Sequence, residues 1–349
     1  MNLKELSQTL GLSPTTVSRA LNGYPEVSER TRRRVMEAAA RYNYAPNSGA
    51  RRLATGRSMA IGHVLPLSTQ HELVNPIFAD FIAGAGEVYA RSGYDLMLSV
   101  VNDRDEEEFY RDLSTRGTVD GLVVHGPRVA DPRIAMLTEL GIPFVVHGRS
   151  SEVATDYSWI DINNRRAFFR ATNFLLDLGH RSIALVNGLA DMDFARRRLL
   201  GYQSALCERG IPLNPALVAN DEMTENYGYE TAHRLLASSD APTAFLVSSI
   251  IAAIGVRRAI YDAGLVMGHD ISVVIHDDDL SYFRNIGDVP IFTGVRSSVR
   301  QAGQQLADVL INAIRNPGQP PQHVLLEAEL TVGQSTGPAP AMRRVLEQG

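Results

Sequence analysis

Short, apolar, β-rich runs alternate with longer stretches of helical periodicity from residue 60 onwards. A strand that returns parallel to its neighbour needs a crossover, usually a helix, so this alternation predicts parallel sheets with helices on both faces. The number of strands is too large for one compact unit, and we therefore expect two similar doubly wound subdomains. The strand-like runs are residues 60–65, 95–101, 121–125, 143–147, 159–162, 182–187, 244–247, 271–276 and 292–295.

Helical patterns fill most of the intervals between these strands. In doubly wound folds, ligands bind beyond the carboxyl ends of the strands, and a cleft between two subdomains is the expected site. His125, His147, Arg149 and Asp161 end or follow strands and are candidates for that cleft. The helical stretches include residues 78–92, 165–179, 196–209, 228–237, 252–264 and 299–316.

The first 57 residues differ from the rest in charge. They hold ten Lys and Arg against four acids, a net charge of +6, so the remainder carries −11 of the total of −5. A small basic head on an acidic body suggests a polyanion as the partner of the head, although a solvated charged helix face would give the same count.

Three short helices are predicted in the head. Leu3, Leu6 and Leu10 recur at helical spacing before Gly11, and Ser13 with Pro14 begins a second helix that ends near residue 21. Ser28 caps a third helix, which runs to about residue 42. Two helices joined by a tight turn that contains glycine form the helix-turn-helix arrangement, whose second helix enters the DNA major groove.

Other classes of protein find little support in the sequence. No run approaches the roughly 18 apolar residues of a membrane span, the N-terminus does not read as a secretory signal, and the single Cys207 favours a reducing cytoplasm. Nucleophile-elbow, phosphate-loop and zinc-ligand patterns are missing from the sequence. We therefore expect no catalytic residues, no metal site and no cofactor.

A long, ordered series of motifs runs through the head: Thr16-Val17-Ser18-Arg19, Leu21-Asn22, Val27-Ser28, Thr31-Arg32, Tyr44-Ala45-Pro46-Asn47 and Ala50-Arg51-Arg52-Leu53. In these motifs the head resembles the DNA-binding head of the lac-repressor (LacI/GalR) family. This resemblance implies that Pro14, Thr15 and Arg19 read bases, with Arg19 suited to a bidentate contact to guanine. Thr16, Ser18, Asn22, Ser28 and Thr31 then fall where phosphates are contacted.

A hinge helix is implied by the same resemblance at residues 47–57. In the family this segment folds on DNA and lies in the minor groove, where Ala50 and Arg51 would contact the duplex. Leu53 matches the leucine that is wedged between central base pairs. Alternatively, Leu53 is a linker residue that packs on the body.

The body resembles the family's periplasmic-binding-protein-like sensor domain. The resemblance implies that Arg198 and Asp277 bind effector hydroxyls, because arginine offers a fork of donors and a carboxylate accepts two hydroxyls. Asn75, Phe78, His125, Arg149, Asp161 and Ser249 are further effector candidates. Markers of the resemblance include Asn75-Pro76-Ile77-Phe78, Asp120-Gly121-Leu122-Val123-Val124, Leu178-Gly179-His180-Arg181-Ser182, Arg196-Arg197-Arg198-Leu199-Leu200-Gly201-Tyr202 and Ser272-Val273-Val274-Ile275-His276-Asp277-Asp278.

Two departures prevent the effector from being copied from any one relative. Many relatives have Asn-Asp where this chain has Ser249-Ile250, and Asp-Asn where it has Asn163-Asn164. A sugar is expected, with a purine or another metabolite as the alternative. A sugar-binding transport component is a further alternative, which the basic head disfavours.

The resulting expectation is a sequence-specific regulator, a repressor of carbohydrate uptake or catabolism genes. It would comprise a helix-turn-helix head (1–46), the hinge (47–57), the effector-binding and dimerisation body (58–338) and a short tail (339–349). The tail holds no sustained heptads, so we expect a homodimer on a pseudo-palindromic double-stranded operator, with no membrane partner.

Overall fold

The computed structural model describes residues 1–21, 23–44, 57–66, 74–102, 104–282, 285 and 288–343. The chain divides into two units, Met1–Met59 and Ala60–Gly349. This division falls two residues after residue 57, the predicted end of the hinge. The finer boundaries at residues 46, 57 and 338 stay predictions. Among the described residues, no helix is long and apolar enough to cross a membrane.

The first unit is a bundle of three helices, α1 (Leu3–Leu10), α2 (Pro14–Leu21) and α3 (Glu29–Arg41). Ser13 Oγ accepts from the Thr16 amide at 3.1 Å, and Ser28 caps α3 through the Thr31 amide, as predicted. Inward-facing apolar residues from all three helices form the core. Its buried members are Leu6, Leu10, Val17, Ala20, Val27, Val35 and Ala39.

The second unit contains two six-stranded sheets, as predicted. The first sheet has the order β11-β5-β4-β3-β1-β2, and all of its strands are parallel. Its strands are β1 (Ala60–Pro66), β2 (Asp95–Val101), β3 (Gly121–His125), β4 (Phe144–His147), β5 (Trp159–Ile162) and β11 (His323–Leu326). The helices of this subdomain are α4 (Pro76–Ser92), α5 (Glu106–Arg116), α6 (Pro132–Leu140) and α11 (Val299–Arg315).

The second sheet repeats the same strand order. It runs β12-β10-β9-β8-β6-β7, and only the edge strand β12 is antiparallel to its neighbour. Its strands are β6 (Ile183–Asn187), β7 (Val218–Asn220), β8 (Ala244–Val247), β9 (Ser272–Asp277), β10 (Thr293–Arg296) and β12 (Glu329–Thr331). The helices of this subdomain are α7 (Asn164–Asp177), α8 (Asp193–Glu208), α9 (Glu225–Leu236) and α10 (Ile250–Asp262).

Three short segments carry the chain from one subdomain to the other. They join β5 to α7, β10 to α11, and β11 to β12. In the first sheet β2 lies on one side of β1 and β3 on the other, and in the second sheet β7 and β8 lie on either side of β6. The direction in which the chain adds strands therefore reverses between β1 and β3 and between β6 and β8. Ligands of such sheets bind beyond the carboxyl ends of the strands at that reversal.

Three short strands were missing from the sequence prediction: β7, β11 and β12. Each has only three or four residues, and their exposed or half-exposed side chains do not form the longer apolar run of a buried strand. Sheet pairing creates these strands, because each lies at a sheet edge beside a buried strand. The other predicted strands and helices are confirmed, with ends that differ by one to three residues.

Helices α7 and α8 cross closely at a glycine, and this crossing positions the first turns of both helices. A Cβ atom placed on Gly201 of α8 would lie 2.2 Å from the carbonyl oxygen of Arg165 in α7. Only glycine permits this approach, because backbone atoms cannot move aside as a flexible side chain can.

We predict that Gly201→Ala lowers the free energy of unfolding by about 1–3 kcal/mol, the usual cost of overpacking. Gly86→Ala is the matched control, because this helical glycine has no atom within 4 Å of a built Cβ and alanine is the better helix former. Urea denaturation measures both. Equal stabilities of the two variants would contradict the close crossing.

Candidate effector cavity and DNA-reading helix

Helix α2 exposes the side chains that were predicted to read bases. Pro14, Thr15 and Arg19 are exposed at its surface, whereas Val17 and Ala20 are buried in the head core. Thr15 and Arg19 are four residues apart and therefore share one face of the helix. The arrangement leaves that face available to a groove while the opposite face holds the bundle together.

The hydroxyls predicted to meet phosphates form two local pairs. Thr16 Oγ1 lies 2.8 Å from Ser13 Oγ, and Thr31 Oγ1 lies 2.9 Å from Ser28 Oγ. Both pairs lie at helix N-termini, where unpaired amides favour an anion. Ser18 is half-buried on α2. Asn22 and the hinge residues Ala50, Arg51 and Leu53 lie outside the described residues.

Two arginines of α3 hold the bundle together. Arg32 donates to the carbonyl oxygen of Tyr24 at 3.0 Å, and Arg34 donates to that of Leu10 at 2.6 Å. Sequence analysis counted both only as positive charge, because their carbonyl partners become neighbours only after folding.

A cavity of about 250 Å³ lies between the two subdomains of the second unit. Its walls come from the carboxyl ends of strands in both sheets, where the fold places ligands. Eight residues were predicted to bind an effector, and six of them line this cavity: Asn75, Phe78, His125, Arg149, Asp161 and Arg198.

Arg198 is a buried cation in the cavity wall. Its Nε donates to Asn164 Oδ1 at 2.8 Å and its Nη1 donates to the Ser248 carbonyl oxygen at 2.6 Å. The guanidinium carbon lies 5.0 Å from the ring centre of Phe168 and 4.9 Å from that of Phe194. These contacts hold the group rigidly and use two of its five N–H donors.

The charge of Arg198 is retained although the side chain is buried. Burial lowers the pKa of Arg198 to about 10, and the nearby carboxylates of Asp278 and Asp161 act in the opposite direction. The guanidinium is therefore still protonated at neutral pH. A charged, preorganised donor in a cavity suits ligand oxygen atoms.

A second arginine supports the carboxylate of Asp161. Arg149 Nε donates to Asp161 Oδ2 at 2.7 Å, and its guanidinium lies over the Trp159 ring at 4.8 Å. Asn164 Nδ2 lies 3.3 Å from the other carboxylate oxygen. Burial raises the pKa of Asp161, and the Arg149 contact opposes that change. Asn164 thus connects Asp161 to Arg198.

Two predicted effector residues lie outside the cavity lining. Ser249 is buried as the N-cap of α10, where its hydroxyl accepts from the Ile251 amide at 3.1 Å. The Asp277 carboxylate accepts from the Asp279 amide at 3.0 Å and lies 3.2 Å from Asn285 Nδ2. Asp278 lines the cavity instead. Asp277 is the last residue of β9 and Asp278 follows it, and only the side chain of Asp278 is part of the cavity lining.

Three histidines from neighbouring strands lie together at the cavity, where His125 and His147 line the wall and His63 lies behind them. His63 Nδ1 is 2.9 Å from His125 Nε2, and the rings of His125 and His147 are 5.8 Å apart. Phe81 stacks on His147 at 4.1 Å. Burial lowers the pKa of His63 to about 3 and that of His147 to about 4, so the cluster is neutral at physiological pH.

Hydrogen bonds between the described residues connect the two subdomains at several places. The Val129 amide donates to Asp191 O and the Asp193 amide donates to Pro127 O, each at 3.1 Å. Elsewhere, Ser281 Oγ donates to Asp80 Oδ1 at 2.6 Å. Closing or opening of the cavity must therefore make or break these contacts.

Cavity side chains that the sequence analysis did not select include Asp278, Asn164, Phe194 and Arg133. Arg133 Nη2 donates to the His125 carbonyl oxygen at 3.1 Å and so holds the end of β3. The sequence offered a signal for two of them. Asn164 belongs to the Asn163-Asn164 pair that departs from the family pattern, and Asp278 follows the predicted effector residue Asp277. Phe194 and Arg133 gave no sequence signal, because their partners are distant along the chain.

We predict an acid destabilisation that originates in the buried histidines. The unfolded chain binds protons to histidine near pH 6.5, whereas folded His147 stays neutral down to about pH 4, so stability falls as the pH drops between these values. One such group costs about 1.4 kcal/mol per pH unit in that window. His147→Gln should flatten the pH profile of urea denaturation.

His233→Gln is the control for this prediction, because His233 is exposed on α9. Its profile should follow the original protein. If both variants gave the same slope between pH 6 and pH 4, the histidine cluster would not be the origin of acid sensitivity.

Comparisons with known proteins agree with the two units of the structure. A model described as bacterial regulatory proteins, lacI family, matches residues 2–47. A second, described as a periplasmic binding protein-like domain, matches residues 172–336. The HTH-type transcriptional regulator AglR of Rhizobium meliloti (strain 1021) is 45% identical over 340 residues, which are 97% of this chain and 95% of that protein.

Solved structures match both the head and the body of the chain. The lac repressor dimer bound to operator and the anti-inducer ONPF has a TM-score of 0.80 at 26% identity, covering 97% of this chain and 99% of that one. The transcriptional regulator CelR–cellobiose complex has a TM-score of 0.71 at 27% identity, covering 96% and 99%. With its helix-turn-helix head and two-subdomain body, the chain belongs to the lacI family of bacterial regulatory proteins, the DNA-binding transcriptional regulators.

Proposed function

We propose that this protein is a cytoplasmic repressor of carbohydrate uptake or catabolism genes, which binds a pseudo-palindromic operator as a homodimer and responds to a sugar. The exposed row of Pro14, Thr15 and Arg19 on α2 supports DNA reading. The similar lac repressor was solved as a dimer on its operator, which supports the assembly. The hinge residues Ala50, Arg51 and Leu53 are proposed to enter the minor groove between the half-sites.

The observation that carries the sugar proposal is the buried Arg198 guanidinium, which faces a cavity that also contains carboxylates. Sugar hydroxyls both donate and accept hydrogen bonds, so they can satisfy Arg198 together with Asp161 and Asp278. The apolar faces of Phe78 and Phe194 suit the C–H faces of a sugar ring. The similar regulator CelR was solved with cellobiose, which supports the same ligand class here.

Regulation follows from unequal binding to two arrangements of the subdomains. A sugar that bridges Arg198 and Asp278 in one subdomain with Asp161 in the other favours the arrangement in which these groups are close. The hydrogen bonds that Asp191, Asp193 and Ser281 make to the opposite subdomain also stabilise this arrangement. The coupling to DNA is reciprocal. If bound sugar lowers the affinity for the operator by a given factor, bound operator lowers the affinity for the sugar by the same factor.

A purine is the second candidate effector. The PurR repressor of Glaesserella parasuis is 29% identical over 91% of this chain, and Phe78 and Phe194 could stack on a planar base. Adenine and guanine carry no hydroxyl group, so none of their atoms can both donate to a carboxylate and accept from Arg198 as a sugar hydroxyl can. A screen that contains both classes separates the two candidates.

We predict that a thermal-shift screen of D-glucose, maltose, sucrose, cellobiose, adenine and guanine gives stabilisation by a sugar. At a concentration 100 times its Kd, a ligand adds about 2.7 kcal/mol of stability. Asp278→Asn should lose most of that shift, because a carboxylate accepts strong hydrogen bonds from hydroxyls. Asp277→Asn is the matched control, and its shift with sugar should equal that of the original protein.

Each outcome of this screen assigns the effector. A shift with a purine alone would replace the sugar proposal. Loss of the sugar response in Asp277→Asn but not in Asp278→Asn would mean that the carboxylate facing the ligand has been misassigned.

We predict that Arg19→Ala weakens operator binding and relaxes the preference at one base pair in each half-site, by about 1–3 kcal/mol. Arg33→Ala, which removes an exposed charge from α3, should leave the base preference unchanged while lowering the salt dependence. Fluorescence anisotropy with a set of single-base operator variants measures both. An equal loss of affinity on every operator variant would remove Arg19 from the base-reading residues.

A further inference from the structure

Three buried side chains of the first subdomain form a continuous hydrogen-bonded chain that ends at the cavity wall. The Tyr89 hydroxyl on α4 lies 3.0 Å from His63 Nε2, and His63 Nδ1 lies 2.9 Å from His125 Nε2. Tyr89 and His63 are fully buried, while His125 lines the cavity. At the end of this chain, His125 Nδ1 is buried without a hydrogen-bond partner among the described residues.

The direction of the protons along this chain can be deduced. In one direction, Tyr89 O–H donates to His63 Nε2, His63 Nδ1–H donates to His125 Nε2, and the proton of His125 is on Nδ1. In the other direction, His63 Nε2–H donates to Tyr89, which leaves both the Tyr89 proton and the lone pair of His125 Nδ1 unsatisfied in the described structure. The first direction leaves one buried group unsatisfied and the second leaves two, so the first is favoured.

All three groups are neutral, because burial disfavours the charged form of each. Burial lowers the pKa of His63 to about 3, with a further contribution from His147. Burial also lowers the pKa of His125 well below its ordinary value, and His63, His147 and Arg133 add to this effect. Burial raises the pKa of Tyr89, so that the phenol keeps its proton.

We propose that Tyr89 and His63 are positioning residues that hold His125 as the Nδ1–H tautomer and thereby place a hydrogen-bond donor in the effector cavity. The proposal deepens the proposed function, since it names the group that the effector must offer at this wall. That group is an acceptor oxygen, such as a hydroxyl or an ether, which satisfies the Nδ1–H when the effector binds.

Neighbouring groups keep the His125 ring in place. Phe78 and Phe81 contact it edge-on at 5.1 and 5.3 Å between ring centres, and Arg133 holds its carbonyl oxygen. A ring fixed in this way cannot turn to exchange its two nitrogen atoms. The tautomer, and therefore the polarity of this part of the cavity, depends on the two residues behind it.

The test is nitrogen NMR of the full-length protein labelled with [15N]histidine, because the chemical shift of each ring nitrogen reports whether it carries a proton. His125→Gln identifies the His125 signals by their loss. We expect His125 to be protonated on Nδ1 and unprotonated on Nε2. In Tyr89→Phe, which removes only the hydroxyl, both tautomers of His125 should be populated.

Tyr202→Phe is the matched control. Its hydroxyl donates to the Ile183 carbonyl oxygen at 2.8 Å in the other subdomain, so this variant loses a comparable buried hydrogen bond while the chain of Tyr89 is intact. Its His125 signals should match those of the original protein. An Nε2–H tautomer of His125 in the original protein, or an unchanged tautomer in Tyr89→Phe, would overturn the proposal.

A second measurement uses D-glucose, maltose, sucrose and cellobiose as probes. Any of these sugars that binds the original protein should bind Tyr89→Phe about twofold more weakly, because about half of the molecules then keep the Nδ1–H donor, and should bind Tyr202→Phe equally well. An equal affinity for Tyr89→Phe would overturn the donor role. If none of the four binds, the proposed sugar function fails, whereas the NMR result still decides the tautomer.

Discussion

The burial of a charged guanidinium between two subdomains is the constraint on which the rest of the cavity depends. A cation taken out of water is costly unless hydrogen bonds and nearby opposite charge compensate. Arg198 obtains its bonds from Asn164 and the Ser248 carbonyl oxygen, and its compensating charge from Asp161 and Asp278. These partners come from both sheets, so the electrostatics of the site require the two subdomains to stay in register.

The repeated strand order explains why these partners meet. Each sheet reverses its order next to its first strand, and polar side chains lie at the carboxyl ends there: His125 on β3, Asn187 on β6 and Ser248 directly after β8. The α7–α8 crossing at Gly201 fixes Asn164 and Arg198 relative to one another. The first subdomain contributes neutral histidines together with the Arg149–Asp161 ion pair, and the second contributes Arg198 and Asp278, so both walls offer charged groups to a ligand.

Sequence reasoning predicted the helix-turn-helix head, the two parallel sheets and six of the eight proposed effector positions in the cavity lining. These features follow from periodicity, capping residues and long motifs. It selected Asp277, whereas Asp278 lines the cavity. Which of two adjacent carboxylates faces the cavity depends on the orientation of the backbone at the end of β9, and the sequence does not reveal that orientation. The Tyr89–His63–His125 chain was also missed, because its members are 26 and 62 residues apart and only the β1–β3 pairing and the packing of α4 bring them together.

The central claim is that Arg198 anchors an effector without contributing to DNA binding. The most direct test is calorimetric titration of Arg198→Lys with the sugar that stabilises the original protein, alongside operator binding without sugar. Lysine keeps the charge but lacks the planar fork of donors. The account predicts a sugar affinity at least about tenfold weaker, from the loss of a charged hydrogen bond, and an unchanged operator affinity. Unchanged sugar affinity in a folded Arg198→Lys protein would contradict the account.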